Sequence, residues 1–185
     1  MNIVAIVGST RQDSYNYKIA KHMEKRYADR FNLKILNIGD LPFYNQDKEN
    51  TPSQEVTAFK KKVEDADGVL WVTPEYNATI PGALKNAIDW LSRVDQVMIG
   101  KPSWIMGASM GALGTAKAQA HLRDILFAPG LSSPLLPGNE VCIGQVHTKL
   151  DEDGNLADED TIAFLDTVTD NVIPWIENQR TTAKI

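Results

Sequence analysis

Nine residues near the amino end, Gly8-Ser9-Thr10-Arg11-Gln12-Asp13-Ser14-Tyr15-Asn16, carry the side-chain types needed to hold an anion. Ser9, Thr10, Ser14 and Asn16 can hydrogen-bond it and Arg11 brings a guanidinium. A helical pattern beginning near Ser14 or Tyr15 leaves unpaired backbone N–H groups at its start. That combination suits a phosphate monoester; the plainer alternative is a polar connection with a serine helix cap. Two later stretches add a different chemistry. Pro74-Glu75-Tyr76-Asn77 offers one flat aromatic and two groups able to bond the edge of a heterocycle, beside a proline that sets the turn. Ser109-Met110-Gly111-Ala112-Leu113-Gly114-Thr115 puts few side chains in the way of a flat ring, because Gly111 and Gly114 permit close backbone approach. The inferred pocket fits a phosphate tethered to a planar ring.

Each of these stretches follows an apolar run. Residues 2–7 and 68–73 are almost unbroken, as expected of strands covered on both faces of a parallel sheet, and 33–38, 102–108 and 140–144 complete a set of five. Between them, Ile19, Ala20, Met23 and Tyr27 recur at helical spacing, predicting a helix to about residue 30. Val56, Phe59 and Val63 predict a second helix to about 67, opened by Thr51-Pro52-Ser53-Gln54 as a capping box with proline at its first position. Leu84, Ala87, Ile88 and Leu91 predict a third, from Pro81 to about 93, and a fourth covers roughly 115–127. A last helix, capped near Asp158, uses Ile162, Leu165, Val168 and Val172, and Pro174 should end or kink it. Residues 39–50 and the proline-bearing 128–138 read as irregular. The alternation of strand and helix predicts one α/β domain over residues 1–185, an open parallel five-stranded sheet with helices on both faces. A flavodoxin-like order of 2-1-3-4-5 makes the first, third and fourth strands neighbours, so the three chemical stretches converge at their carboxyl ends.

Composition narrows the function. A formal charge of -5, spread along the chain, leaves no basic footprint for nucleic acid. Cys142 is the single cysteine, so no internal disulfide forms, and no apolar run approaches the roughly 20 residues that cross a bilayer. No basic region precedes the first apolar run, which is too short for a signal peptide, so a cytoplasmic location is expected. His22, His121 and His147 have no ligand spacing, and no metal is expected. Cys142 reads as a small strand hydrophobe, Lys60-Lys61-Lys62 as an exposed helix face, and the acidic run 151–160 as a solvated turn plus a helix cap. Trp90 lies off the apolar stripe of its helix, and an exposed tryptophan there would suggest a contact with another subunit.

The residues also carry a resemblance. Gly8-Ser-Thr-Arg-Gln-Asp-Ser-Tyr-Asn16 matches a G-S-x-R-x-x-S-x-N loop, and Pro74-Glu-Tyr-Asn is followed by Pro81-Gly-Ala-Leu-Lys-Asn-Ala-Ile-Asp-Trp90. With His121-Leu-Arg-Asp-Ile-Leu126 and Asp151-Glu-Asp-Gly-Asn155, the sequence resembles the NAD(P)H-dependent FMN reductase family of flavodoxin-like quinone, chromate and azo-dye reductases. The resemblance implies that Ser9, Arg11, Ser14, Tyr15 and Asn16 hold the FMN phosphate. It implies that Pro74, Glu75, Tyr76 and Asn77 line the flavin ring and that Ser109 and Gly111 flank its other edge. It also implies a homodimer or homotetramer in which a partner subunit closes over the flavin. The chain departs from the family pattern at Asp13, where many relatives are uncharged, and at Gly114-Thr115-Ala116-Lys117, where many continue G-G-x-R. A carboxylate near a phosphate dianion repels it, so Asp13 should point to solvent.

The implied activity is ping-pong transfer of hydride from NADH or NADPH through FMN N5 to a quinone, flavin, azo or similar acceptor. It needs no side-chain acid or base, and no catalytic residue is named. The rival is a flavodoxin-type electron carrier, whose Thr-x-Thr-Gly-x-Thr loop and much more acidic surface this chain lacks; direct oxidation of NAD(P)H separates the two. A Rossmann dehydrogenase would need G-x-G-x-x-G after the first strand, and a P-loop enzyme Gly-Lys-Ser/Thr; neither is present.

Overall fold

The computed structural model describes residues 1–182, with the side chains of the last three of these left out. Five parallel strands, β1 (Asn2–Val7), β2 (Asn32–Leu36), β3 (Gly68–Val72), β4 (Ser103–Ala108) and β5 (Val141–Ile143), pair in the order β2-β1-β3-β4-β5. In register, Ile3 lies opposite Leu33 and Gly68, Val72 opposite Met106, and Ala108 opposite Ile143. The helices are α1 (Tyr15–Arg26), α2 (Gln54–Glu64), α3 (Gly82–Leu91), α4 (Ala116–Leu126) and α5 (Glu159–Thr182). Ile19 and Met23 of α1 and Leu165, Val168 and Val172 of α5 cover one face, against Ala5, Leu70 and Trp104. Phe59 and Val63 of α2, Leu84 and Ile88 of α3 and Leu122 of α4 cover the other, against Ile6, Trp71 and Ile105. Alternation along each strand sends neighbouring side chains to opposite cores, which is why the central strands β1, β3 and β4 carry no polar face. No described helix is long and apolar enough to cross a membrane.

The differences from the sequence reading have local causes. α1 stops at Arg26 because Tyr27 leaves the helical region, and the chain turns through 27–30 into β2. The expected capping box is not built: Ser53, not Thr51, occupies the N-cap of α2, without a side-chain cap bond. Pro81 is likewise the N-cap of α3, one position earlier than expected. Pro174 does not end α5, which runs on to Thr182 with Val172 and Ile176 buried on either side, so packing of both halves on the sheet outweighs the missing N–H. Asp158 caps α5 as expected, its Oδ1 accepting from Thr161 N at 3.0 Å. Lys60 is no part of an exposed face; it is buried, its Nζ donating to Arg93 O at 2.8 Å and pairing with Asp95 at 2.9 Å. Trp90 is 3% exposed: Nε1 donates to Pro42 O at 2.8 Å and Tyr44 meets the ring edge-on, so the 39–50 segment covers it. Cys142, by contrast, is exposed on the edge strand β5.

One surface network titrates. Asp166 of α5 accepts from Arg26 Nε and Nη2, both at 2.7 Å, and from the Tyr27 hydroxyl at 2.8 Å. The Arg26 guanidinium holds its carboxyl down to about 2, and burial first, then Asp166, raises Tyr27 to about 12. A carboxylate whose folded pKa lies below its unfolded value near ~3.9 stabilises above that pH and stops doing so as pH falls through about 2. Asp166→Asn should therefore unfold at lower urea than wild type at pH 7, with the gap closing between about pH 4 and 2. Urea midpoints at three pH values test this, and a gap independent of pH would refute it.

Candidate functional site

The carboxyl ends of β1, β3 and β4 are stitched to one another. Gly8 N donates to Val72 O at 2.8 Å and Thr73 N to Met106 O at 2.9 Å, so the three connections leave the sheet side by side. The first, residues 8–14, is joined to the third by Asn16, whose Nδ2 donates to Ala108 O and whose Oδ1 accepts from Ala108 N, both at 2.9 Å. The second is joined to α4 by Glu75, whose Oε2 accepts from Lys117 N at 3.0 Å and Ala118 N at 3.1 Å. The three stretches thus converge through named bonds.

In the first loop, Ser14 is buried and is the N-cap of α1, its Oγ accepting from Tyr17 N at 3.3 Å; the hydroxyl proton stays free to donate. The N–H groups of Tyr15 and Asn16 have no acceptor among the described residues. Ser9 Oγ accepts from Arg11 N at 3.3 Å, Thr10 is exposed, and the Arg11 guanidinium lies 5.3 Å from the centre of the half-buried Tyr15 ring. Asp13 does point to solvent, its side chain 70% exposed. Lys18 bonds it at 2.6 Å and holds its carboxyl below the usual range, so its charge is neutralised locally.

The second loop is a two-residue hairpin. Tyr76 and Thr79 exchange both backbone bonds, at 3.0 and 3.1 Å, and Asn77 and Ala78 between them take φ of 51° and 63°. Two successive left-handed residues make this a type I′ turn, uncommon without glycine. Pro74 is buried, while Tyr76 and Asn77 are exposed. His121 of α4 meets Thr79 Oγ1 through Nδ1 at 2.9 Å.

The third loop is fastened from beneath. Ser109 N donates to Ile143 O at 3.0 Å, Val146 N to Ser109 O at 3.0 Å and Gln145 N to Gly111 O at 3.1 Å. Gly111 is exposed and open, with Ser109 Oγ its nearest neighbour at 3.8 Å from where a Cβ would stand. Thr115, the N-cap of α4, sits buried at φ 70° and makes no cap bond. Its Oγ1 instead accepts from Gln119 Nε2 at 3.2 Å, and the same Nε2 donates to Val141 O at 2.8 Å.

Two expected contacts change. Asn16 is 3% exposed with both amide atoms committed to Ala108, so its side chain ties two loops together and its N–H is the group left without an acceptor among the described residues. Glu75 gives Oε2 to α4. Gln119 and Thr115 were not singled out in the sequence. A polar residue in line with Leu122 and Leu126 on the buried face of α4 was the available signal.

The donor set fits a flavin mononucleotide. Free N–H groups at the start of α1, the Ser14 hydroxyl and Arg11 answer a phosphate, and an open glycine beside a tyrosine-bearing turn leaves room for a flat ring. Among the described residues no cluster of three His, Cys, Asp or Glu could hold a metal ion.

Comparison with known proteins agrees. Residues 1–148 match the family model described as NADPH-dependent FMN reductase. The chain is 40% identical over 182 residues to a 2-hydroxy-1,4-benzoquinone reductase of a Burkholderia species, covering 97% of this chain and 98% of that protein. It is 40% identical to an NADH-dependent flavin reductase subunit 2 of Lactobacillus johnsonii, covering 96% and 98%. Among solved structures, the flavoenzyme NAD(P)H:(acceptor) oxidoreductase FerB of Paracoccus denitrificans superposes with a TM-score of 0.87 at 38% identity, over 96% of this chain and 98% of that one. Three loops bonded to one another at the carboxyl ends of β1, β3 and β4 fit that likeness, which along nearly the whole sequence places the chain in the NADPH-dependent FMN reductase family.

Proposed function

We propose that the three joined loops hold FMN and that the chain, acting as one domain, passes reducing equivalents from NADH or NADPH to quinone-type acceptors. The observation that carries the site is the set of unpaired N–H groups at Tyr15 and Asn16 beside the Ser14 hydroxyl and Arg11. Bound there, FMN would supply the redox chemistry of a ping-pong exchange between nicotinamide and acceptor.

The residues bind and orient. Arg11 offsets phosphate charge, and the Tyr15 ring beneath its guanidinium limits where that charge can go. Ser9, Ser14 and the N–H groups of Tyr15 and Asn16 donate to phosphate oxygens. Pro74, Tyr76 and Asn77 line one side of the ring, and Ser109 and Gly111 the other, with the exposed face left to the two substrates in turn. No side chain has to move a proton, so none is assigned a catalytic role. A carrier of the flavodoxin type would need a separate reductase, whereas this chain should oxidise NAD(P)H unaided.

Purified protein should bind FMN one to one, and its yellow absorbance should bleach on anaerobic addition of NADH or NADPH. Arg11→Ala should weaken FMN binding by about tenfold, the lower end for a charge-assisted contact because the side chain is 52% exposed. Protein that stays colourless in excess FMN would reject the reading.

We further propose a homodimer or dimer of dimers, supported by the exposed apolar side chains of Tyr76, Met110 and Leu113 around the second and third loops. Light scattering that reports a monomer at micromolar concentration would count against it. The cytoplasm is the proposed location, supported by a free, exposed thiol at Cys142.

A further inference from the structure

α4 lacks a cap of its own. Its N-cap residue Thr115 stands in the left-handed region with its hydroxyl turned down to Gln119, so that side chain satisfies none of the N–H groups opening the helix. Lys117 N and Ala118 N are met instead by Glu75, from a loop 42 residues earlier in the chain. A carboxylate there satisfies two otherwise unpaired donors and meets the positive end of the helix dipole. Four residues on, Thr79 bonds His121, one turn further along the same helix. The Tyr76–Thr79 turn is thus held to α4 at both of its ends.

What lies between those ties is strained. Asn77 and Ala78 carry positive φ without being glycine, a conformation that persists only where the surroundings enforce it. The turn's own hydrogen bonds use the N–H groups of Tyr76 and Thr79, leaving those of Asn77 and Ala78 outside them.

We infer that Glu75 is a positioning residue for the flavin: it touches α4 and not the cofactor, and through the helix cap it sets the turn whose Tyr76 and Asn77 line the ring. This rests on the flavin reading above. The affinity of the protein for FMN, and the ratio of its affinities for reduced and oxidised FMN, then depend on a helix-capping oxygen that contacts neither form.

Three variants test it. Glu75→Gln keeps an oxygen that can accept from both N–H groups and loses the charge; Glu75→Ala removes the cap; Glu75→Asp shortens the arm by one methylene, too short to reach Lys117 N with the turn in place. In the alanine variant, FMN affinity should fall at least tenfold and the reduced-to-oxidised affinity ratio should shift at least threefold by potentiometry. Amide exchange at Tyr76, Thr79, Lys117 and Ala118 in the flavin-free protein should quicken at least tenfold. The glutamine variant should stay within threefold of wild type in all three. Should the alanine variant fail to fold, the aspartate variant is expected to show the same losses. Alanine or aspartate variants that match wild type in affinity, ratio and exchange overturn the proposal, as does a glutamine variant that loses affinity as alanine does while its flavin-free exchange stays at the wild-type rate, which would mean that the charge acts on the flavin directly. Wild-type protein that takes up no FMN overturns the flavin reading itself, a result distinguishable from all of these.

Discussion

Alanine at position 107 will disrupt the third loop and lower the stability of the whole protein by about 3 kcal/mol or more, at or above the upper end for overpacking a dense core. The added methyl would stand 1.9 Å from Thr115 Oγ1 and 2.4 Å from Thr73 O. Neither neighbour can yield cheaply. Thr73 O belongs to a backbone whose N–H pairs with Met106 O in the β3–β4 ladder, and Thr115 is buried, with its hydroxyl bonded to Gln119. Because ordinary domains are stable by only about 5–15 kcal/mol, the variant should unfold at much lower urea and bind FMN poorly. Adding Thr115→Gly removes one of the two clashes and the left-handed strain at 115, and should recover part of the loss. The remaining overlap with Thr73 O keeps recovery incomplete. Urea midpoints for the single and double variants measure both effects; a Gly107→Ala protein within about 0.5 kcal/mol of wild type would show that the loop is not seated as described.

The second large effect belongs to Asn16. Its carboxamide meets Ala108 as a neighbouring strand would, answering both the N–H and the C=O at the end of β4, in a buried setting. Asn16→Ala leaves two buried backbone groups without a partner, each costing about 1–3 kcal/mol, so a total of about 2–6 kcal/mol is expected. Asn16→Asp discriminates the mechanism. Protonated, the acid can still donate to Ala108 O; ionised, it sets a carboxylate against that carbonyl. Its folded pKa must lie above the unfolded value near ~3.9, so the stability it retains is fully present below that pH and is lost as pH rises through the folded pKa. The deficit of Asn16→Asp relative to wild type should grow between pH 4 and 8, while that of Asn16→Ala stays level. Equal pH dependence in the two variants would mean that the Ala108 bonds contribute little. Because Ala108 immediately precedes Ser109, both variants should also lose FMN affinity, coupling the phosphate end of the site to its ring end.

Fold and chemistry were legible for one reason: both are written in local patterns. Apolar runs at 2–7 and 68–73, the helical stripe of Leu84, Ala87, Ile88 and Leu91, and the polar loops after three strands are properties of short windows, and the sheet order expected for such an alternation is the one observed. The serine cap of α1 could be read for the same reason, since Ser14 and the N–H groups it precedes lie within one turn of chain. What resisted reading was pairing across distance. Asn16 and Ala108 are 92 positions apart, Trp90 and Pro42 48, Glu75 and Lys117 42. A polar side chain in a conspicuous motif therefore gave no sign that it also bonds the protein's own backbone. A tryptophan off its helix stripe looked exposed when a distant loop lay over it. Local propensity says which groups need a partner, because an unpaired buried donor or acceptor is costly wherever it sits. Only the folded chain, by bringing remote backbone within 3 Å, decides whether that partner is a ligand or the protein itself.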